Sequence, residues 1–79
     1  MSNLAKYKKA FIETFMVEEA DLPSLKYQGI PAWDSVGHMG LMATLEDVFS
    51  IELDIDDIIE FSSFEVGKTM LAKYNITVE

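Results

Sequence analysis

Apolar residues recur at intervals of three and four positions near the start of the chain and again in its middle, which is the spacing of an amphipathic helix. The first set predicts a helix that is capped by Ser2 or Asn3. Its apolar stripe consists of Leu4, Tyr7, Phe11 and Phe15, with Ile12 beside it. The second set predicts a longer helix over residues 35–49, the most apolar helical pattern in the chain.

The predicted second helix has two dissimilar faces when its residues are placed at 100° intervals. The face assigned to the core consists of His38, Leu41, Met42, Leu45, Val48 and Phe49. The opposite face consists of Val36, Met39, Gly40 and Ala43, followed by Glu46 and Asp47. Gly37 and Gly40 each cost a helix about 1 kcal/mol relative to alanine. This cost suggests that something needs close access near Ser35.

A long connection separates these two helices. Residues 17–34 show no sustained period, and Pro23, Gly29 and Pro31 favour an irregular path. Loops of this length are unusual in so small a domain and are often functional. The residues expected to attach the loop to the core are Leu25, Tyr27, Ile30 and Trp33.

Two shorter helices are expected in the remainder of the chain. Asp54 is a candidate cap for a short third helix that carries Ile55, Ile58 and Ile59. Ser62 and Glu65 have the spacing of a capping box, which predicts the start of a fourth helix. Its expected buried side consists of Val66, Met70, Leu71 and Tyr74, and Asn75 can end it. The sequence therefore predicts an all-α fold, a four-helix bundle with a short third helix and a long loop between helices one and two, as one domain over residues 1–79.

Composition disfavours several classes of function. The chain has no cysteine and a single histidine, so it offers no disulfide, no thiol nucleophile and no two-histidine metal site. Its net charge of −8 disfavours nucleic acid as a ligand and favours basic protein partners. No apolar run reaches the length of a membrane span, and no signal-peptide pattern begins the chain. We therefore expect a cytoplasmic, monomeric protein without membrane insertion.

Two kinds of site fit the sequence poorly. Ser35 and His38 have the spacing of a nucleophile and its base. However, His38 belongs to the predicted core face, and the sequence has no pattern that indicates an orienting carboxylate or an oxyanion hole. The acidic residues of segment 54–60 are interrupted by three isoleucines and lack the central glycine of an EF-hand loop. We therefore expect no catalytic residue and no dedicated metal site.

A serine follows an aspartate where the second helix begins, within Trp-Asp-Ser-Val-Gly-His-Met at positions 33–39. Together with Leu-Glu-Asp at positions 45–47, Phe49 and the acidic segment 54–59, this stretch resembles the acyl carrier protein family over nearly the whole chain. The chain has Ala32 and Val36 where many members have glycine and leucine. It also has Gly37 and Gly40 where polar or acidic residues are common. Trp33 beside the motif, together with Gly-His-Met at positions 37–39, is more typical of stand-alone carriers of specialised pathways than of the housekeeping fatty-acid carrier.

The resemblance implies a carrier that is not itself an enzyme. Ser35, with Asp34 as its motif neighbour, would receive 4′-phosphopantetheine from coenzyme A through a separate phosphopantetheinyl transferase. The thiol of this arm would carry acyl groups as thioesters in fatty-acid, polyketide or related specialised biosynthesis. The partners would be acyl-loading and acyl-transfer enzymes with basic docking surfaces.

Two surfaces would serve such a carrier. The expected docking face consists of Val36, Met39, Ala43, Glu46 and Asp47. The expected acyl pocket, between helices two and three, consists of Tyr27, Leu41, Met42, Leu45, Ile58 and Ile59. A closed core would have the same composition as this pocket, so both interpretations stay open.

Two other functions also stay open. An aminoacyl or peptidyl carrier, including the D-alanyl type, would use the same serine for a polar cargo and would have less use for an internal pocket. A non-enzymatic acidic adaptor would use Ser35 only as a helix cap. Treatment with coenzyme A and a transferase distinguishes a carrier from an adaptor.

Overall fold

The computed structural model describes residues 2–79, which form four α-helices and one 3₁₀ helix. The α-helices are α1 (Asn3–Phe15), α2 (Ser35–Phe49), α3 (Ile55–Glu60) and α4 (Phe64–Ala72). The described residues contain no β-strand, so the prediction of an all-α fold is confirmed. Among these same residues, no helix combines the length and the apolar character needed to cross a membrane.

Helix α1 follows the predicted pattern. Ser2 caps it, because its hydroxyl oxygen accepts a hydrogen bond from the Ala5 N–H at 3.1 Å. The residues that it buries are Tyr7, Ala10, Phe11 and Phe15. The Tyr7 hydroxyl also donates to the Phe64 carbonyl at 2.6 Å, and this buried hydrogen bond joins α1 to the start of α4.

The long connection is more ordered than the sequence suggests. A 3₁₀ helix, Glu19–Ser24, interrupts it, so the prediction of an irregular path over residues 17–34 is wrong in this part. Its first turn is closed by Asp21, which accepts a hydrogen bond from the Glu18 N–H at 3.3 Å. Leu22 is fully buried and anchors the helix to the core. One buried residue in six is too sparse to give a helical period, so the hydrophobic pattern alone could not reveal this element.

Beyond the 3₁₀ helix, the connection is held by backbone hydrogen bonds as well as by side chains. The Tyr27 N–H donates to the Ser62 carbonyl at 2.9 Å, and the Phe64 N–H donates to the Leu25 carbonyl at 3.0 Å. Leu25 and Trp33 are buried as predicted. This pairing sets the loop against the segment that precedes α4.

The same pairing moves the start of α4. Ser63, rather than Ser62, is its N-cap and accepts a hydrogen bond from the Val66 N–H at 3.0 Å. The predicted capping box of Ser62 and Glu65 is therefore wrong by one residue, because the Ser62 carbonyl accepts a hydrogen bond from Tyr27 in the loop. The buried side of α4 shifts accordingly and consists of Phe64, Gly67, Met70 and Leu71. Val66, predicted to be buried, is exposed.

Helix α2 has the predicted bounds and crosses the core. Its buried residues are His38, Leu41, Met42 and Leu45. Val48 and Phe49, also assigned to the core face, are only half-buried in the last turn. The helix ends at Ser50, which adopts the left-handed conformation with a φ of 53°.

Candidate functional site

Ser35 is the first residue of α2 and is exposed to solvent. The cap of this helix is Asp34, whose Oδ1 accepts a hydrogen bond from the Gly37 N–H at 2.8 Å. Capping therefore occupies the carboxylate of Asp34 and leaves the Ser35 hydroxyl outside this role. The Ser35 side chain also lies at the positive end of the helix dipole.

The glycines near Ser35 have different explanations. A Cβ atom on Gly37 would overlap the carbonyl oxygen of Ala32 and would lie 3.2 Å from the ring of Phe15. Position 37 therefore needs a glycine because the loop that precedes α2 in this same chain lies against it. A Cβ atom on Gly40 would meet nothing within 4 Å. The packing of this chain does not require glycine at that position.

A cavity of about 340 Å³ opens beside Ser35 between the loop, α2 and α3. It is lined by Tyr27, Ser35, His38, Met39, Ile58, Ile59, Phe61 and Ser62. Three of the residues predicted for an acyl pocket, Tyr27, Ile58 and Ile59, belong to this lining. The other three, Leu41, Met42 and Leu45, lie in the closed core instead.

Sequence reasoning did not assign Met39, Phe61 or Ser62 to the cavity. Met39 follows Ser35 by four residues, and the rule that such positions share one side of a helix could have identified it. Phe61 and Ser62 lie beyond the end of α3, where helical periodicity no longer applies. A wider groove of about 470 Å³ on α1 shares no lining residue with this cavity.

Four of the five residues predicted for docking are exposed on α2. They are Val36, Met39, Ala43 and Asp47. Glu46 is half-buried, and its Oε2 accepts a hydrogen bond from the Leu53 N–H at 2.8 Å. Glu46 therefore also holds the turn that leads from α2 to α3.

Helix α3 buries an acid and exposes isoleucines. Ile55 and Ile59 are each 73% exposed, whereas Asp57 is buried. The Asp57 carboxylate accepts hydrogen bonds from the Lys73 ammonium and from the Tyr74 hydroxyl, each at 2.6 Å. These two hydrogen bonds hold the pKa of Asp57 below its ordinary value, and the one from Lys73 has the larger effect. Asp57 therefore ties α3 to the end of α4.

The remaining acidic side chains form no metal site in the part of the chain that the structure describes. Across residues 2–79, no group of three or more histidine, aspartate or glutamate side chains has the proximity needed to hold a metal ion. Asp57, one of the four acids of segment 54–60, is already paired with Lys73.

His38 lines the cavity, and both of its ring nitrogens make hydrogen bonds. The Trp33 indole N–H donates to Nδ1 at 2.9 Å, and Nε2 lies 2.6 Å from the Ile58 carbonyl oxygen. An indole N–H can only donate, so Nδ1 is the acceptor and Nε2–H donates to Ile58. Neither nitrogen is free to accept a proton from Ser35, so the pair lacks the geometry of a nucleophile and its base.

Comparison of the chain with protein-family models, with curated proteins and with solved structures gives no match.

Proposed function

We propose that this protein is an acyl carrier of the four-helix-bundle type, with 4′-phosphopantetheine attached to Ser35. The observation that carries the proposal is an exposed serine at the first position of α2, capped by its neighbour Asp34, at the mouth of an apolar cavity. A serine that only capped a helix would have its oxygen on a first-turn N–H, as Ser2 and Ser63 have.

The environment of Ser35 suits an attached phosphate. The first N–H groups of a helix have no intrahelical acceptor, and they attract anions together with the helix dipole. The hydroxyl of Ser35 is exposed, so another protein's active site can reach it. When bound, the arm supplies a terminal thiol that forms thioesters, a group that a chain without cysteine does not have.

The cavity favours an acyl cargo over a polar one. Apolar groups of Met39, Ile58, Ile59 and Phe61 form much of its lining. Its volume of about 340 Å³ lies at the lower end of the range for small-molecule pockets. We therefore propose a short or medium acyl chain as the cargo, with an aminoacyl or peptidyl group as the alternative that the loading experiment below tests.

The charge distribution favours a basic partner at the α2 and α3 side. Residues 28–79 contain ten acidic residues and only two lysines, so they account for the whole net charge of −8. Exposed Val36 and Met39 supply an apolar contact next to Ser35, with Asp47 further along the same helix. Such a surface suits a phosphopantetheinyl transferase, and acyl-loading and acyl-transfer enzymes, that surround an apolar patch with lysine or arginine.

The decisive experiment is modification by a broad-specificity phosphopantetheinyl transferase with coenzyme A and magnesium. Intact mass should rise by one phosphopantetheine in the wild type and in Ser62→Ala, which alters another exposed serine of the cavity. It should not rise in Ser35→Ala. A mass gain that persists in Ser35→Ala refutes the attachment site. A wild type that stays unmodified supports the acidic adaptor.

The cargo is tested by loading the arm. We expect a medium-chain acyl group to raise the Tm of the carrier, because part of the chain leaves water for the cavity, and we expect an alanyl group to leave it unchanged. Amide shifts of Ile58 and Ile59 should move with the acyl group. An unchanged Tm together with unchanged shifts would show that the acyl chain stays outside the cavity.

Docking is tested with a single charge reversal, because Glu46→Lys would also remove the hydrogen bond to Leu53. Asp47→Lys should slow modification of Ser35 at low salt, and the difference from the wild type should shrink as salt rises. Met39→Glu should slow modification at every salt concentration. Equal rates for Asp47→Lys and the wild type at low salt would locate docking elsewhere, with the acids of α3 as the next site to test.

A further inference from the structure

The two hydrogen bonds of His38 join the segment that precedes Ser35 to α3, which contributes Ile58 and Ile59 to the cavity lining. Trp33 immediately precedes Asp34 and Ser35, whereas Ile58 belongs to α3. The two contacts therefore run from one imidazole to the serine-bearing segment on one side and to α3 on the other. His38 itself is buried among the rings of Tyr27, Trp33 and Phe61, with centroid distances of 5.3–6.2 Å.

The Trp33 end of this connection is held firmly. Its side chain is fully buried, and its indole ring stacks on Phe15 at a centroid distance of 5.1 Å with an interplanar angle of 25°. Phe11 packs against it edge-on at 5.5 Å. The indole N–H therefore points at His38 from a fixed position.

The α3 end is held by Asp57, which bonds to Lys73 and Tyr74, and by His38. A helix of six residues is too short to be stable by itself, and Ile55 and Ile59 leave most of their apolar surface in water. The carbonyl of Ile58 lies in the last turn of α3, where carbonyl groups have no intrahelical donor. The His38 Nε2–H supplies that donor at 2.6 Å, so His38 caps the end of α3.

We propose that His38 is the positioning residue of this site, and that its neutral imidazole holds α3 and the segment 33–35 at a fixed separation beside Ser35. The functional part of this inference rests on the proposed carrier function, because it concerns how Ser35 is presented to the transferase. The structural part, the two hydrogen bonds of His38, does not depend on whether Ser35 is modified.

The first test is spectroscopic and uses the fact that the chain has one histidine and one tryptophan. Nitrogen-15 NMR of the unmodified protein at neutral pH should show His38 protonated at Nε2 and unprotonated at Nδ1. The Trp33 indole N–H should exchange slowly with solvent. A ring protonated at Nδ1, or an indole N–H that exchanges like an exposed one, would overturn the proposal.

The second test compares variants by amide hydrogen exchange. In His38→Leu, the amides of Ile58 in α3 and of Phe61 just after it should exchange roughly ten- to hundredfold faster relative to the amides of α4, which is the effect of leaving one partly buried carbonyl without its donor. His38→Gln, which offers an acceptor and a donor on one side chain, should restore most of the protection.

The matched control is Tyr7→Phe, which also removes one hydrogen bond from a side chain to a backbone carbonyl, in this case a fully buried one. It should not accelerate exchange selectively in α3. If His38→Leu accelerates exchange equally in all helices, His38 only fills the core and the proposal fails. If His38→Leu does not fold, Trp33→Phe replaces it, and selective acceleration near Ile58 is again required.

The third test concerns the function of Ser35. The kcat/KM for modification by the transferase should fall about tenfold in His38→Leu, recover in His38→Gln and stay near the wild-type value in Tyr7→Phe. Normal modification of His38→Leu would overturn the positioning role. A wild type that is never modified refutes the carrier function instead, and the exchange experiment then decides the coupling through His38 by itself.

Discussion

Two glycines in the same helix provide opposite tests of the packing around Ser35. Gly37 faces the loop, where the Ala32 carbonyl oxygen occupies the place of a Cβ atom. Gly40, three residues later, faces open space. We predict that Gly37→Ala destabilises the protein and that Gly40→Ala stabilises it, although both replacements give the helix the same gain in propensity.

The magnitudes follow from two terms. Alanine in place of glycine stabilises a helix interior by about 1 kcal/mol, and nothing opposes this gain at Gly40. At Gly37 the obstacle is a backbone carbonyl that cannot rotate away, with the Phe15 ring 3.2 Å from the new atom on the other side. Overpacking of this kind costs about 3 kcal/mol at the upper end of its usual range. The net loss in Gly37→Ala is then about 2 kcal/mol.

The assay is urea and thermal unfolding followed by circular dichroism, with Trp33 fluorescence as a reporter of the adjacent loop. For a domain of this size we expect Tm to rise by roughly 4–8 °C in Gly40→Ala and to fall by roughly 8–16 °C in Gly37→Ala. Trp33 emission should shift toward the red only in Gly37→Ala, because displacement of Ala32 exposes the indole ring.

One result would refute this reasoning. If Gly37→Ala were as stable as Gly40→Ala, the loop before Ser35 could not lie against α2 as described. The rate at which the transferase modifies Ser35 is a second measurement on the two glycine variants. A slower reaction in Gly40→Ala, despite its higher stability, would indicate that the partner needs close access to that position.

Three further predictions concern caps and charges. Asp34→Ala should cost about 0.5–2 kcal/mol in urea unfolding, whereas Ser35→Ala should change stability little, because Asp34 provides the cap; equal losses would contradict this assignment. Asp57→Asn should be less stable than the wild type at neutral pH. Because the folded-state pKa of Asp57 is lowered, its stabilising contribution is present above the ordinary value of 3.8 and is lost as the pH falls through the lower folded value. Melts between pH 2 and 7 should therefore show a smaller acid-induced loss of stability in Asp57→Asn than in the wild type. Ser50→Gly should raise stability by about 1 kcal/mol, since Ser50 ends α2 with a φ of 53°; an unchanged urea midpoint would show that this conformation costs serine nothing here.

Local information in the sequence determined the two longest helices and their ends. The stripe of α1 and the bounds of α2 follow from apolar spacing and from side chains that bond to N–H groups within three residues, and the same rules narrowed the cap of α1 to Ser2 or Asn3. The same local rules identified Ser35 as the start of α2. Such features are predictable because the interacting groups are close neighbours along the chain.

Tertiary structure alone decided the features that depend on distant residues. The start of α4 moved to Ser63 because Ser62 pairs with a loop 35 positions earlier in the chain, at Tyr27. Asp57 is buried because Lys73 and Tyr74 supply donors from beyond α4. His38 bonds to the Ile58 carbonyl across 20 positions. No helical period or cap rule encodes contacts across such separations, since they arise only when the packed core brings the segments together.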